Sequence, residues 1–360
     1  MSQENRRSIG SRNTHSAVSI IFLSLVCIAA LSFCVYLLFQ NAALEREEEA
    51  VRLELETINS EGYYTKTEAQ RMIEEAETTA RTETTNSIKN KIQSKLEAGD
   101  GTTATIRSLF PEQMVVASDG RYYFFPISEE IEHHGFKEED FEIGDDGFLE
   151  HVGDNSDINV EKGIDVSRFQ GKIDWEKVAA SGVDFAIIRV GLRGTSEGKL
   201  LVDDMFETNI KGATSNGIKV GVYIYSQALN EEEAKEEAQL VLDNIEPYHL
   251  EYPVVIDIES ADSDKARTND LTSDQYEVVA KTFCDIIKSA GYKPMIYGNV
   301  KSFTLLMDAV DVDDYGIWIA YYGTPLYYPY HFDIWQYSST GKVDGIDGNV
   351  DLDICITKYE

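Results

Sequence analysis

The sequence predicts an α/β protein whose residues 160–360 close into a β/α barrel, preceded by a transmembrane helix, a partly helical stalk and a small α+β module. Three observations carry that prediction. Strand-like apolar runs alternate with helical stretches over the last part of the chain. Residues 17–40 carry no charge. Between the two lies a segment rich in Glu, Arg, Lys and Thr, followed by a hairpin signal.

Residues 1–16 carry Arg6, Arg7 and Arg12 against Glu4, and Ala17 to Gln40 reads AVSIIFLSLVCIAALSFCVYLLFQ. At about 1.5 Å per residue that stretch spans the roughly 30 Å hydrocarbon layer of a lipid bilayer. A cleaved signal peptide has a shorter apolar region, about 7–15 residues. Cys34 follows Phe33 rather than a small residue, so no lipobox is present. Arginines before the span and acids after it place residues 1–16 in the cytoplasm and everything beyond Gln40 outside, as a single-pass protein of the cell membrane.

Residues 41–101 form the expected stalk. Leu44, Val51 and Ile58 recur every seven residues, then Asn59-Ser60-Glu61-Gly62 breaks the pattern. Thr65 and Glu68 make a capping box for a second helix carrying Ala69, Met72, Ile73, Ala76 and Ala80. Ile88, Ile92 and Leu96 continue at helical spacing, and Gly99-Asp100-Gly101 closes the segment. Two heptads and a break fall short of a coiled coil, so the reading is a charged, partly helical stalk, the part of the chain through which self-association would run. Helical throughout, residues 42–98 would reach about 85 Å from the membrane.

Residues 102–159 are expected to form a small module or structured linker. Met114-Val-Val-Ala and Arg121-Tyr-Tyr-Phe-Phe-Pro-Ile flank Ser118-Asp119-Gly120, a hairpin signal. His133-His134 lack a third ligand at a telling spacing and read as solvated surface histidines rather than a metal site.

From Gly163 the order is regular. Strand candidates are Gly163–Val166, Phe185–Gly191, Val220–Ser226, Pro253–Glu259, Pro294–Asn299, Gly316–Tyr321, Phe332–Tyr337 and Asn349–Ile356. Helical segments between them include Phe206–Ser215, Glu231–Ile245, Ser273–Ser289 and Ser302–Ala309, with Asn216-Gly217 and Ala290-Gly291 as stops. Strand–helix alternation with short turns means parallel pairing. Eight strand candidates suggest a compact barrel, its helices thinning toward the end. Active groups of such barrels sit at the C-terminal ends of the strands.

Tyr252-Pro-Val-Val-Ile-Asp-Ile-Glu-Ser is the informative piece. Side chains alternate along a strand, so Asp257 and Glu259 project one way while Ile256 and Ile258 face the helices. An acid pair there also suits a cation or a loop anchor. Two other strand ends tip the balance toward catalysis: Asp165 ends the first strand and Asp351 lies near the last, which neighbours the first in a closed barrel. The four acids converge with Tyr223, Tyr225, Tyr297, Trp318, Tyr321, Trp335 and Tyr337. Clustered carboxylates raise one another's pKa, which keeps a carboxylic acid protonated for use as a general acid, and aromatic faces beside polar groups suit sugar rings.

These pieces together resemble a family 25 glycoside hydrolase, the Chalaropsis-type lysozymes, from about Gly163 to Tyr359. The matching motifs are Gly163-Ile-Asp-Val-Ser, Val220-Gly-Val-Tyr-Ile-Tyr, Val255-Ile-Asp-Ile-Glu, Trp318-Ile-Ala-Tyr, Trp335-Gln-Tyr and Gly348-Asn-Val-Asp-Leu-Asp. The resemblance implies an irregular, TIM-like β/α barrel that needs no metal or cofactor. It implies N-acetylmuramidase activity on the β-1,4 bond from N-acetylmuramic acid to N-acetylglucosamine in peptidoglycan. It also implies Glu259 as proton donor and Asp257 as its partner, with Asp165 and Asp351 lining the site. Family members often carry Tyr-His-Phe on the third strand, where this chain has Tyr223-Ile224-Tyr225. The stalk and the 102–159 module lie outside the resemblance.

Other chemistries are poorly supplied. A net charge of -32 repels phosphate, which argues against nucleic acid as a partner, while 42% apolar residues suffice for a core. No Gly-x-Ser-x-Gly elbow or phosphate loop is present. Cys27 and Cys34 fall in the apolar span, and Cys284 and Cys355 read as buried free thiols. Two further readings stand beside the enzyme: a wall-binding scaffold that kept the fold without activity, and a barrel glycosidase acting on another glycan. Loss of a site acid would favour the scaffold, and all four acids are present.

Overall fold

A computed structural model describes residues 9–60, 64–153, 158, 160–323 and 325–359, with all side chains in that range except those of 9–22, 24, 25, 28 and 58–60. Positions 1–8 of the expected cytoplasmic segment, Glu61-Gly62 of the expected break and Asn159 at the expected domain boundary lie outside the described residues, as does the Ile58 side chain. The chain divides into two compact units, Met1–Thr105 and Ile106–Glu360.

The first unit holds helices α1 (Ile9–Ser60) and α2 (Lys66–Glu97). The expected capping box is formed: Thr65 Oγ1 accepts from Glu68 N at 3.3 Å, and Glu68 Oε2 accepts from Thr65 N at 2.9 Å. The Glu48 and Glu77 carboxyls hydrogen-bond each other. Asn41, Leu44 and Val51 share a groove with Ile73, Ala76 and Ala80. Residues about equally far from the intervening turn thus meet, so α2 runs back along α1. The apolar stripe of Leu44 and Val51 is used within the chain, and the expected straight reach of about 85 Å gives way to a hairpin. The expected span, residues 17–40, lies inside α1. Among the described residues no helix is long and apolar enough to cross a membrane.

The division falls within α3 (Thr102–Leu109), and the second unit continues with two small antiparallel sheets, β1 (Gln113–Ser118) with β2 (Arg121–Pro126), and β3 (Phe141–Ile143) with β4 (Leu149–His151). Asp119 and Gly120 both take positive φ, 51° and 71°, as the tight hairpin turn requires. Then follow β5 (Glu161–Val166), α4 (Trp175–Ala180), β6 (Phe185–Arg193), β7 (Leu200–Val202), α5 (Phe206–Ser215), β8 (Lys219–Tyr225), α6 (Glu231–Ile245) and β9 (Val254–Asp257). The chain continues through α7 (Ser273–Ser289), β10 (Pro294–Asn299), α8 (Ala309–Val312), β11 (Gly316–Ala320), β12 (Ile334–Gly341) and β13 (Val350–Cys355). A short π-helical turn, Ser302–Leu306, stands where the sequence suggests a regular helix to Ala309.

The large sheet closes on itself in the order β5, β6, β8, β9, β10, β11, β12, β13, with β7 an antiparallel extension on β6. Neighbours pair in parallel except around β13, which is antiparallel to both β12 and β5. That reversal corrects the expectation of parallel pairing throughout. It follows from the short β12–β13 connection, which has room only for a hairpin-like return.

Inside the barrel Phe185, Ile187, Val255, Met295, Trp318 and Ile334 pack together. Phe185 stacks on Tyr252 at 4.3 Å and 10° between planes. Gly163 makes room for it, because a Cβ there would lie 2.1 Å from the Phe185 ring. The lower end is therefore filled, leaving the end formed by the strand C-termini for a site. Outside, the larger cluster buries Ile256, Ile258 and Val222 against α6 and α7 residues such as Val241, Phe283 and Ile287. Asn230 caps α6 through Glu233 N at 3.1 Å, and Thr272 with Gln275 boxes the start of α7.

Helices thin out beyond β11, and the segment preceding β5 covers that flank. Tyr327, Tyr330 and Tyr337 hydroxyls accept from the backbone N–H groups of Val115, Ser128 and Leu149 at 2.7, 2.9 and 3.1 Å. Glu132 O accepts from His331 N at 2.7 Å, and the Arg107 guanidinium lies 3.6 Å from the Tyr327 ring centroid. Residues 106–360, which include the boundary the sequence sets near residue 160, fall in one compact unit. His133 is exposed and its Nε2 lies 2.9 Å from Ser128 O. His134, expected in solvent, is half-buried and stacks on Phe136 at 5.4 Å, its pKa lowered by burial. Cys284 and Cys355 are buried free thiols.

Candidate active site

At the C-terminal ends of the parallel strands lies an open cleft of about 440 Å³. Parity along β9 builds its acidic wall. Val255 faces the barrel interior, Ile256 and Ile258 pack outward, and Asp257 and Glu259 line the cleft. β9 ends at Asp257, so Glu259 extends from the loop just past the strand. Tyr225 on β8 and Tyr297 on β10 are in register with Asp257 and flank it.

Asp165, the last residue but one of β5, lies directly opposite Asp351 on β13. Beyond it Ser167 opens a short turn, Arg168–Gln170: Ser167 Oγ accepts from Phe169 N at 3.3 Å and Gln170 Oε1 accepts from Ser167 N at 2.9 Å. The turn leaves Phe169 at the rim with 76% of its surface exposed. Arg189, from β6, is held by Asp203 at 2.8 Å through Nε and 2.7 Å through Nη2, and lies 5.0 Å from the Phe169 ring centroid.

Gln336 ties three walls together. Its Nε2 donates to Asp165 Oδ2 at 2.6 Å, and its Oε1 accepts from the hydroxyls of Tyr297 at 2.9 Å and Tyr322 at 2.7 Å. Below it, Trp318 Nε1 donates to Asp353 Oδ1 at 2.9 Å. Behind the site Arg193 bonds Glu237 at 2.8 Å and Glu236 at 2.9 Å, and Arg267 grips Glu233 through two bonds of 2.8 and 2.9 Å. Gln227 then supports Tyr225 by donating to its hydroxyl at 3.1 Å.

Electrostatics follow from this crowding. Burial raises the pKa of Asp257, Glu259 adds to the rise, and Arg189 opposes it. Glu259 is raised by burial and then by the Asp351 charge. Asp165 is pushed up by burial and by Asp351, Asp353 and Asp257, while the Gln336 hydrogen bond pulls the other way. Burial takes Asp351 to about 6 and Tyr225 to about 12. So many carboxyls at close quarters cannot all ionise together, and some hold protons at neutral pH. A site of this kind offers a protonated acid beside an anionic partner, the pair that cleavage of an acetal needs.

The structure brings Asp165, Asp257, Glu259, Asp351, Tyr223, Tyr225, Tyr297 and Trp318 to one cleft. Tyr321, Trp335 and Tyr337 are not brought there. Trp335 is fully buried on the outer face of β12 against Phe141, and its Nε1 donates to Tyr321 O at 2.8 Å. Tyr337 shares that outward parity, and the Tyr321 hydroxyl lies 3.4 Å from Arg107 Nη1. Gln336 stands between Trp335 and Tyr337 and therefore points inward, which strand alternation predicts. Arg189 and Tyr322 line the cleft without a sequence signal of their own. Asp353 has one, since it shares the parity of Asp351.

A family model for glycosyl hydrolases family 25 matches residues 164–346, just over half of the chain. The chain belongs to that family. Among relatives of this family 25 glycosidase, the uncharacterised protein YegX of Escherichia coli K12 is 31% identical over 195 residues, which cover 53% of this chain and 68% of that one. The autolytic lysozyme of Clostridium acetobutylicum is 29% identical over 196 residues, covering 53% of this chain and 55% of that protein. Of solved structures, the modular autolysin LytC from Streptococcus pneumoniae superposes with a TM-score of 0.51 at 27% identity, covering 67% of this chain and 57% of that one. This chain thus spans just over half the length of the last two. The matched part of this family 25 member holds all four acids except Asp351, which follows five residues beyond its end.

Proposed function

We propose that this glycosidase is a lysozyme, an N-acetylmuramidase that hydrolyses the β-1,4 bond between N-acetylmuramic acid and N-acetylglucosamine in peptidoglycan. The observation that carries the reading is the Asp257–Glu259 pair, set at the end of β9 and just past it at the mouth of the barrel, where burial and Asp351 favour the protonated form of Glu259. Glu259 gives its proton to the leaving oxygen. Asp257 stabilises the cation that develops on the sugar. Asp165 and Asp351 shape the field around them, and Tyr225, Tyr297, Tyr322 and Phe169 offer faces for sugar rings. The pneumococcal autolysin LytC, at a TM-score of 0.51 and 26% identity, was solved in complex with a synthetic peptidoglycan ligand, which supports the choice of polymer.

The proposal includes a tether. The uncharged residues 17–40, with arginines before them and acids after, support a single-pass anchor in the cell membrane with the barrel outside. Digestion of purified peptidoglycan, with identification of the new reducing end, tests the activity. Release of N-acetylmuramic acid ends is expected. N-acetylglucosamine ends, cleavage of chitin alone, or binding without cleavage would each replace the reading, the last by a wall-binding scaffold.

A further inference from the structure

Across the β12–β13 wall from the cleft lies a second concavity of about 570 Å³, one wall of which comes from the segment preceding the barrel. Ile143 and Asp145 of the β3–β4 hairpin form that wall, and Gly323, Ser338, Lys342 and Leu352 form the other. The two hollows lie on opposite faces of the barrel wall: Tyr322, Gln336 and Asp351 line the cleft, while Gly323, Tyr337 and Leu352, each the next residue in the chain, line the groove. The β3–β4 hairpin falls outside residues 164–346 matched by the family model.

Its chemistry differs from that of the cleft. The cleft presents aromatic faces. The groove presents aliphatic surface, with Ile143 57% exposed, and the one ring beside it, Tyr337, is buried with its hydroxyl taken by Leu149 N. Of its charges, Asp146 is occupied by Lys162 at 2.5 Å, and Lys342 Nζ donates to Gly348 O at 2.7 Å. Asp145 is exposed and has no ion-pair partner among the described residues. A hollow with an aliphatic floor and a free carboxylate fits small apolar side chains and one amino group.

We propose that this groove binds the peptide branch of the substrate, a short alanine-bearing peptide with a free side-chain amine, while the glycan lies in the cleft. This rests on the peptidoglycan reading above, because only a glycan bearing peptides would fill both hollows at once. Ile143 contacts the peptide's methyl groups and Asp145 pairs with its amine.

The test uses the full chain and two readouts. In the first, a free pentapeptide with three alanines and one diamino acid is titrated into the protein and followed by NMR. Binding is expected, weakened about tenfold by Asp145→Lys or Ile143→Asp, the scale of one lost contact. No binding, or binding that ignores both substitutions, overturns the proposal. In the second, KM is compared on wall glycan with its peptides intact and on the same glycan stripped by an amidase. Both substitutions should raise KM on the first relative to the second, with kcat unaltered. An equal change on both substrates overturns the groove. Peptide binding without cleavage of either glycan would bring down the lysozyme reading and leave the groove standing.

Discussion

The Gln336 amide donates to Asp165 at 2.6 Å, joining a β12 side chain to a β5 carboxyl across the barrel mouth, while its carbonyl takes up two tyrosine hydroxyls. Gln336 and Asp165 are both buried, so the bond is shielded from competing water. Gln336→Leu leaves Asp165, Tyr297 and Tyr322 with unmet hydrogen-bonding groups. It should cost about 1–3 kcal/mol of stability and lower kcat. Denaturant unfolding reads the first and initial rates the second. An unaltered midpoint would mean the network contributes nothing.

Asp257 and Glu259 should divide the work. Residues two apart on a strand have Cα atoms about 6.6 Å apart, a spacing from which side chains can reach either the retaining or the inverting range. The N-acetyl group of the substrate offers a third route, in which Asp257 orients the amide as it attacks. On that route Glu259→Gln abolishes turnover of natural glycan but partly spares a substrate whose leaving group needs no proton. Asp257→Asn damages both. Net inversion in the first-formed anomer, read by NMR, would exclude the substrate-assisted route.

Asp351 sets the pH range. Its charge raises the pKa of Glu259, so Asp351→Asn should move the alkaline limb of kcat/KM to lower pH. A limb that stays in place would show that Asp351 does not act on Glu259.

Stability should follow the same acids. Asp351 rises from the usual 3.8 to about 6 in the folded chain, and Asp165 and Asp257 are raised as well. Between the ordinary and the raised value the folded chain binds protons that the unfolded chain has lost. The resulting stabilisation is present in mild acid and fades as pH climbs through 6. Tm should therefore fall from pH 5 to pH 7.5. Asp165→Asn, which removes a buried acid and keeps an acceptor for Gln336, should raise Tm at pH 7 and lower activity.

Truncation tests the covering segment. A fragment from residue 160 to 360 loses the backbone donors that Tyr327, Tyr330 and Tyr337 accept, and bares the outer face of β12 around Trp335. It should unfold at lower denaturant than a fragment starting before α3, with Trp335 fluorescence reporting a wetter ring. Equal midpoints would show that the barrel stands alone from the boundary near 160.

Protease added to intact protoplasts tests the tether. Removal of the barrel is expected. Full protection, or a mature N-terminus beyond Gln40, would remove the anchor.

Local pattern made much of this legible in the sequence. Phe206–Ser215, Glu231–Ile245, Ser273–Ser289 and Pro294–Asn299 fall where apolar period and stop residues put them. The pairing of Asp257 with Glu259 follows from strand alternation alone. Trp335 and Tyr337 went astray because their bulk suggested sugar contact, whereas the same alternation puts Gln336, between them, in the cleft. Arg189 was hidden in an apolar strand, and its worth depends on Asp203 beyond the strand end. The fold-back of α2 and the cover over β12 arise from long-range contacts, which carry no period.

The β5–β13 pairing also bears on the order in which the site is completed. Asp165 and Asp351 are register partners drawn from the first and last strands of the barrel. Contacts so distant in sequence close late, after the loop entropy of everything between them has been met. A chain without its last strand has Asp257 and Glu259 but lacks the strand that closes the wall beside them, so the cleft is complete only once the barrel has closed.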